Sequence, residues 1–81
     1  MTIGDIQQRF VAHLQKRIRN GELSERALAR IVGVSQPHLH HVLHGKRSLS
    51  IKTTDDMMQQ LKMNIFDLIE PAEWPDARTR Q

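Results

Sequence analysis

Cysteine is absent from this sequence of 81 residues. Its absence excludes disulfide bonds, zinc sites built on thiolates and enzymes that use a cysteine nucleophile. A chain without disulfides is compatible with the cytoplasm, and we expect the protein to act there.

Aromatic residues and long apolar runs are also scarce. The three aromatic residues are Phe10, Phe66 and Trp74, too few for the stacking platform on which many proteins bind single-stranded nucleic acids. No run approaches the roughly 20 apolar residues of a transmembrane helix. The first residues, MTIGDIQQRF, lack the basic and then apolar pattern of a signal peptide, so we expect neither a membrane span nor export.

The residues that are present suffice for one small folded domain. Hydrophobic residues make up 38% and charged residues 26% of the chain, a composition typical of a folded domain and not of a disordered one. The length indicates a single domain, which we place at residues 1–70. Pro71 and Pro75 interrupt any helix beyond it, so we expect residues 71–81 to form a flexible tail.

Positive charge is concentrated in the first part of the chain. Residues 1–47 contain eight Lys or Arg against three Asp or Glu, giving +5, whereas residues 48–81 contain four against six, giving −2. This uneven distribution favours a face that binds a polyanion.

Apolar spacing and capping residues predict an all-α domain without strands. The predicted N-caps are Thr2, in a capping box with Asp5, and then Ser24, Ser35 and Asn64. Five helices are expected, near residues 3–19, 24–33, 35–44, 50–62 and 64–69.

The second and third predicted helices are joined by a very short turn, Gly33-Val34-Ser35. Gly33 suits the left-handed conformation that ends one helix and lets the next begin at a steep angle. Ala29 is small enough to let the two helices approach, and Val34 would fill the turn. The predicted shared core consists of Leu28, Val32, Leu39, Val42 and Leu43. This pattern is typical of a helix-turn-helix.

The segment from Leu23 to Ile69 resembles the lambda-repressor-like helix-turn-helix regulators, the XRE family that includes Cro. The similarity is carried by Ala27-Leu28-Ala29 in the first helix of the motif, Gly33-Val34-Ser35-Gln36 at the turn and His44-Gly45-Lys46-Arg47 after the second helix. The resemblance implies a compact five-helix domain whose third helix enters the major groove of double-stranded DNA.

The spacing within the third helix gives an independent indication of which residues point outward. At about 100° per residue, Leu39, Val42 and Leu43 share one side of the helix. The opposite side and its flanks carry Pro37, His38, His40, His41 and His44. That outward side is polar and contains no acidic residue, as expected of a helix facing base edges and phosphates.

The resemblance also implies roles for individual residues. Gln36 matches a glutamine that pairs bidentately with adenine, and the positions of Ser35 and Pro37 pack against thymine methyl groups in relatives. The positions of His40 and His41 read bases, and the segment from His44 to Lys46 and Arg47 binds phosphate. Two positions depart from the pattern: relatives often have Gln or Arg in place of His41, and Pro37 replaces a side chain that frequently forms hydrogen bonds.

The four histidines of this segment have a second interpretation, as metal ligands. His40 and His44 are four residues apart and could hold a transition metal from one helix face. However, no cysteine is available and no carboxylate lies nearby on the same helix. We therefore predict DNA contact for His38, His40, His41 and His44, and neither a metal nor a cofactor.

These observations predict a sequence-specific, double-stranded DNA-binding transcriptional regulator, with repression as the expected direction. The alternatives are an antitoxin that represses its own operon, with a toxin partner, a protein-interaction module that has lost DNA binding, and a histidine metal-binding enzyme or sensor. No nucleophile elbow, phosphate-binding loop or acid pair supports catalysis, so we expect no enzyme.

We expect a homodimer on DNA, with Trp74 either as its anchor or folded back on its own domain.

Overall fold

A computed structural model describes residues 2–69 of the chain. Within that range there are four α-helices, and no residue forms a β-strand. Their bounds are α1, Ile3–Arg19; α2, Glu25–Val32; α3, Gln36–Leu43; and α4, Ile51–Gln60. A single 3-10 turn follows at Ile65–Asp67. The predicted all-α class is confirmed.

Each helix begins where a side chain can accept the hydrogen bond of an unpaired backbone N–H. The predicted capping box at α1 is confirmed, because the Thr2 hydroxyl accepts from the Asp5 N–H while an Asp5 carboxylate oxygen accepts from the Thr2 N–H. Ser24 and Ser35 cap α2 and α3 as predicted. Ser50 caps α4 through the Thr53 N–H, so that helix begins within one residue of its expected start.

The predicted fifth helix, residues 64–69, is wrong. Asn64 and Asp67 form the expected capping box, but only the 3-10 turn Ile65–Asp67 follows, closed by i→i+3 hydrogen bonds. Starting a helix fixes several residues for one hydrogen bond, and packing must offset that cost in so short a segment. Here packing contributes little, because Ile65 is 41% and Phe66 52% exposed and only Leu68 is buried.

The core lies between the four helices and is small. Phe10 and Leu14 of α1, Leu28 of α2, Leu39 of α3 and Met57 of α4 are all essentially inaccessible to solvent. α2 and α3 contact each other, α1 packs against α3, and α4 packs against α2. Every helix thus contributes at least one side chain to the same apolar cluster, which holds α3 in a fixed orientation.

None of the helices between residues 2 and 69 is both long and apolar enough to cross a bilayer.

The predicted tail, residues 71–81, and the two alternatives for Trp74 lie outside the described residues.

Candidate nucleic-acid interface

The turn between α2 and α3 determines how α3 is presented. Gly33 adopts the left-handed conformation, with φ 79° and ψ 24°, and its N–H donates to the Ala29 carbonyl oxygen. The Val34 N–H donates to the same oxygen at 3.1 Å. Ala29 is only 4% exposed, and Val34 packs against the core. The predicted roles of these three residues in bringing the two helices together are confirmed.

α3 has two faces of opposite character. Its inner face consists of Leu39, Val42 and Leu43, which are 0%, 3% and 4% exposed. Its outer face consists of the exposed residues Gln36, Pro37, His40, His41 and His44. His38 is half-buried at the edge between them. The helical periodicity therefore predicted both faces correctly, including the position of His38 on the flank between them.

The N-terminal turn of α3 brings three of the candidate DNA-contacting residues together. Ser35 is the N-cap, and its Oγ accepts from the His38 N–H at 3.3 Å. Gln36 and Pro37 are the first two residues of the helix, and all three are exposed. The Gln36 amide can donate and accept hydrogen bonds from this end of the helix.

The C-terminal end of α3 is tied to the following basic turn, Gly45 to Arg47. His44 is the C-cap, and Gly45 has a φ of 75°. The backbone N–H groups of Lys46 and Arg47 both donate to the His41 carbonyl oxygen, at 2.8 and 3.3 Å. These hydrogen bonds fold the turn back onto the helix, so the exposed Lys46 and Arg47 stand beside its last turn.

Two glutamines of α1, which the sequence did not single out, stabilise this arrangement. The Gln15 amide donates to the Leu43 carbonyl oxygen at the end of α3. The Gln7 amide donates to the Leu49 carbonyl oxygen at 2.8 Å and to the Thr54 hydroxyl at 3.1 Å. Both lie on the side of α1 that contacts the rest of the domain, and each connects elements far apart in the sequence. A single sequence provides no signal for such partners.

Glu25 was also missed, and it lies at the edge of the outer face. Its Oε1 is 3.0 Å from His40 Nδ1, and its Oε2 is 3.9 Å from His44 Nε2. α3 itself has no acidic residue, but the first turn of α2 thus supplies a carboxylate to two of the histidines. The available signal was the tight turn: two short helices joined by three residues bring the start of one near the end of the other.

The comparisons leave the family of this chain open. Searches of protein-family models, curated proteins and solved structures give no significant match. What is shown is therefore a small four-helix domain with α2 and α3 in contact.

Proposed function

We propose that the protein is a sequence-specific, double-stranded DNA-binding regulator of the lambda-repressor-like type, with α3 as its recognition helix. The observation that carries this proposal is the outer face of α3, which is polar, exposed and flanked by the basic turn. An α-helix with its side chains is about 10–12 Å in diameter, so it fits the major groove, which is about 12 Å wide. The opposite face of the helix is buried, so only this face is available to a ligand.

The two ends of α3 have different proposed roles. Gln36, at the exposed start of the helix, would form a bidentate pair with a base edge, with Ser35 and Pro37 beside it. Lys46 and Arg47 would contact phosphates and supply affinity without sequence preference. His41 would face the groove between these two ends.

The proposed partner on DNA is a second copy of the chain. One module with a single recognition helix covers a half-site, and such modules bind palindromic sites with half-sites about one helical turn apart. The domain also exposes large apolar side chains at the starts of α1 and α4, with Ile3 at 54% and Ile51 at 61% exposure. These residues offer a surface that a second protomer could cover.

The antitoxin and the protein-interaction module differ in how they relate to this proposal. An antitoxin that represses its own operon would bind DNA through the same outer face, so the expected DNA-binding result is the same. It would differ only in having a toxin as an additional partner. A protein-interaction module would be favoured by an apolar or acidic outer face, whereas the exposed residues there are polar or basic, apart from Pro37.

Selection of bound sites from random double-stranded DNA tests the proposal. We expect a palindromic motif. On the selected site, Gln36→Ala should cost about 1–3 kcal/mol and relax the preference at one base position. Gln60→Ala, at the exposed end of α4, is the matched control and should change neither quantity. A selection that yields no motif contradicts sequence-specific binding, and an equal loss on all sequences removes Gln36 from base recognition.

The same assay, repeated at several salt concentrations, tests the basic turn. Lys46→Gln or Arg47→Gln should weaken selected and random DNA alike and lower the slope of log K against log salt by about one unit. Lys62→Gln, in the turn after α4, is the control cation. A slope that changes equally in all three variants would indicate a general charge effect and not a phosphate contact.

A further inference from the structure

We propose that Glu25, His40 and His44 form a binding site for a divalent transition metal of the borderline class, such as Zn²⁺ or Ni²⁺. The three residues, named here the histidine–glutamate cluster, offer one ligand atom each, and these atoms lie within 4.8 Å of one another. The site does not rest on the DNA-binding proposal, although His40 and His44 belong to the outer face of α3, because its geometry depends only on the contact between α2 and α3.

The chemistry of the three side chains suits such a metal. Imidazole nitrogen is a preferred ligand of zinc and nickel, and a carboxylate oxygen completes several three-residue zinc sites whose fourth position is taken by water. Bonds of about 2.0–2.1 Å in a tetrahedral site place ligand atoms roughly 3.3 Å apart. His40 Nδ1 lies 3.0 Å from Glu25 Oε1 and His44 Nε2 lies 3.9 Å from Glu25 Oε2, so both imidazole nitrogens are close to that spacing from an oxygen of the same carboxylate.

The two histidines are arranged as a chelating pair. They are one helical turn apart on α3, and their ring centroids are 4.1 Å apart at an interplanar angle of 40°. The side chain of His40 is 52% exposed and that of His44 is 54% exposed, so an ion and a bound water can reach them. Glu25 is held more firmly, with 26% of its side chain exposed.

A simple ion pair explains only part of this geometry. The contact between Glu25 and His40 is a hydrogen-bonded surface pair, which in general stabilises a fold very little. The distance of 3.9 Å between His44 Nε2 and Glu25 Oε2 is too long for a hydrogen bond, yet it places a second imidazole nitrogen near the same carboxylate. Two imidazoles that converge on the two oxygens of one carboxylate form the donor set of a metal site.

The supporting framework is rigid because it is the core of the domain. Leu28, three residues after Glu25, and Leu39 and Leu43, which directly precede the two histidines, are all buried. The backbone positions of the three ligands are therefore fixed before a metal binds. Only side-chain rotations are needed to bring the ligand atoms to bonding distance.

The chain provides matched controls among its other histidines. His41 is exposed on the same helix, but it lies outside the cluster, with its ring centroid 6.2 Å from that of His40. His38 is half-buried near the other end of α3. Neither residue shares the carboxylate of Glu25.

The experiment is a titration of the full, untagged chain with Zn²⁺ alone, followed by competition with a chromophoric chelator at constant pH. We expect one zinc per chain. His40→Ala, His44→Ala and Glu25→Gln should each weaken zinc binding by more than about tenfold, because loss of even an outer-shell partner costs 10–100-fold. His41→Ala and His38→Ala should stay within about twofold of the wild type.

Two further measurements test whether each variant is folded and which histidines bind zinc. The circular dichroism spectrum and melting temperature in excess chelator show whether each variant is folded, and the exposure of both histidines predicts that it is. In the wild type, zinc should shift the imidazole nitrogen resonances of His40 and His44 and leave those of His41 in place. Zinc affinity unchanged in the His40 and His44 variants, or lowered equally by His41→Ala, would overturn the proposal.

Discussion

The two faces of α3 belong to the same eight residues but differ in almost every physical respect. The inner face, Leu39, Val42 and Leu43, is at most 4% exposed, and its two leucines belong to the apolar cluster to which the other three helices also contribute. On the outer face, Gln36, His40, His41 and His44 are exposed; the ring of His40 contacts Glu25 by a hydrogen bond and lies near the rings of His41 and His44. The comparison shows that one helix contributes to the core through one face and leaves polar side chains accessible on the other.

The largest expected effect comes from the inner face. Leu39→Ala removes a side chain that is 0% exposed and leaves a cavity, so we expect the free energy of unfolding to fall by about 2–5 kcal/mol. His41→Ala is the control on the outer face, and it should stay within about 0.5 kcal/mol of the wild type. Urea unfolding followed by circular dichroism measures both. If the two variants lost similar stability, the two faces would not be separate in the way proposed.

The turn that orients both faces gives the second effect. Gly33→Ala forces a side chain into a conformation with φ 79°, which we expect to cost about 1–2 kcal/mol of unfolding free energy. A Cβ atom at this position would meet no atom within 4 Å, so the cost is that of the backbone alone.

Gly4→Ala in α1 is the matched control for that substitution. Its Cβ would lie 3.7 Å from Thr2 Oγ1, an ordinary contact, in a helix that alanine favours. This variant should be as stable as the wild type or more stable by up to about 1 kcal/mol. A Gly33→Ala protein that gains stability like Gly4→Ala would show that the turn can relax away from its left-handed conformation.

Local signals in the sequence predicted most of this fold because they act through near neighbours. A serine or threonine at an N-cap binds an N–H three residues away, as Ser24 does with the Ala27 N–H and Ser35 with the His38 N–H. The spacing of Leu39, Val42 and Leu43 likewise depends only on the helical repeat. The segment after Asn64 shows the limit: its cap was predicted correctly, but a cap does not supply the packing that a helix needs in order to continue.

The candidate site was predicted in part for the same reason. Its outward residues on α3 follow from the helical repeat, whereas Lys46 and Arg47 of the basic turn were implied by the resemblance to the lambda-repressor-like regulators. The sequence did not predict the contacts of Gln7, Gln15 and Glu25, because the partners of each residue are at least 15 residues away along the chain. Such contacts depend on how the helices pack, which spacing along one chain does not specify.

The smallest expected effect tests whether an exposed polar group contributes to stability at all. The Thr2 N–H donates to Asp5 Oδ2 at 3.0 Å, and this hydrogen bond, helped by the Thr2 hydroxyl, lowers the pKa of Asp5 in the folded protein. A carboxylate whose pKa is lower in the folded than in the unfolded chain stabilises the fold above the unfolded pKa. Its contribution disappears as the pH falls through the folded pKa.

Asp5→Asn therefore should be less stable than the wild type near neutral pH, and the difference should shrink as the pH falls below about 4. Asparagine keeps the shape of the carboxyl group but cannot carry its charge, so it mimics the protonated state at every pH. Asp56→Asn, an exposed position in the middle of α4, is the control. Urea unfolding of the three proteins at a series of pH values measures the difference. If the difference in unfolding free energy between Asp5→Asn and the wild type stays constant on acidification, the capping box acts through shape alone. If the difference for Asp56→Asn shrinks in the same way, the effect reflects net charge and not the hydrogen bond from Thr2.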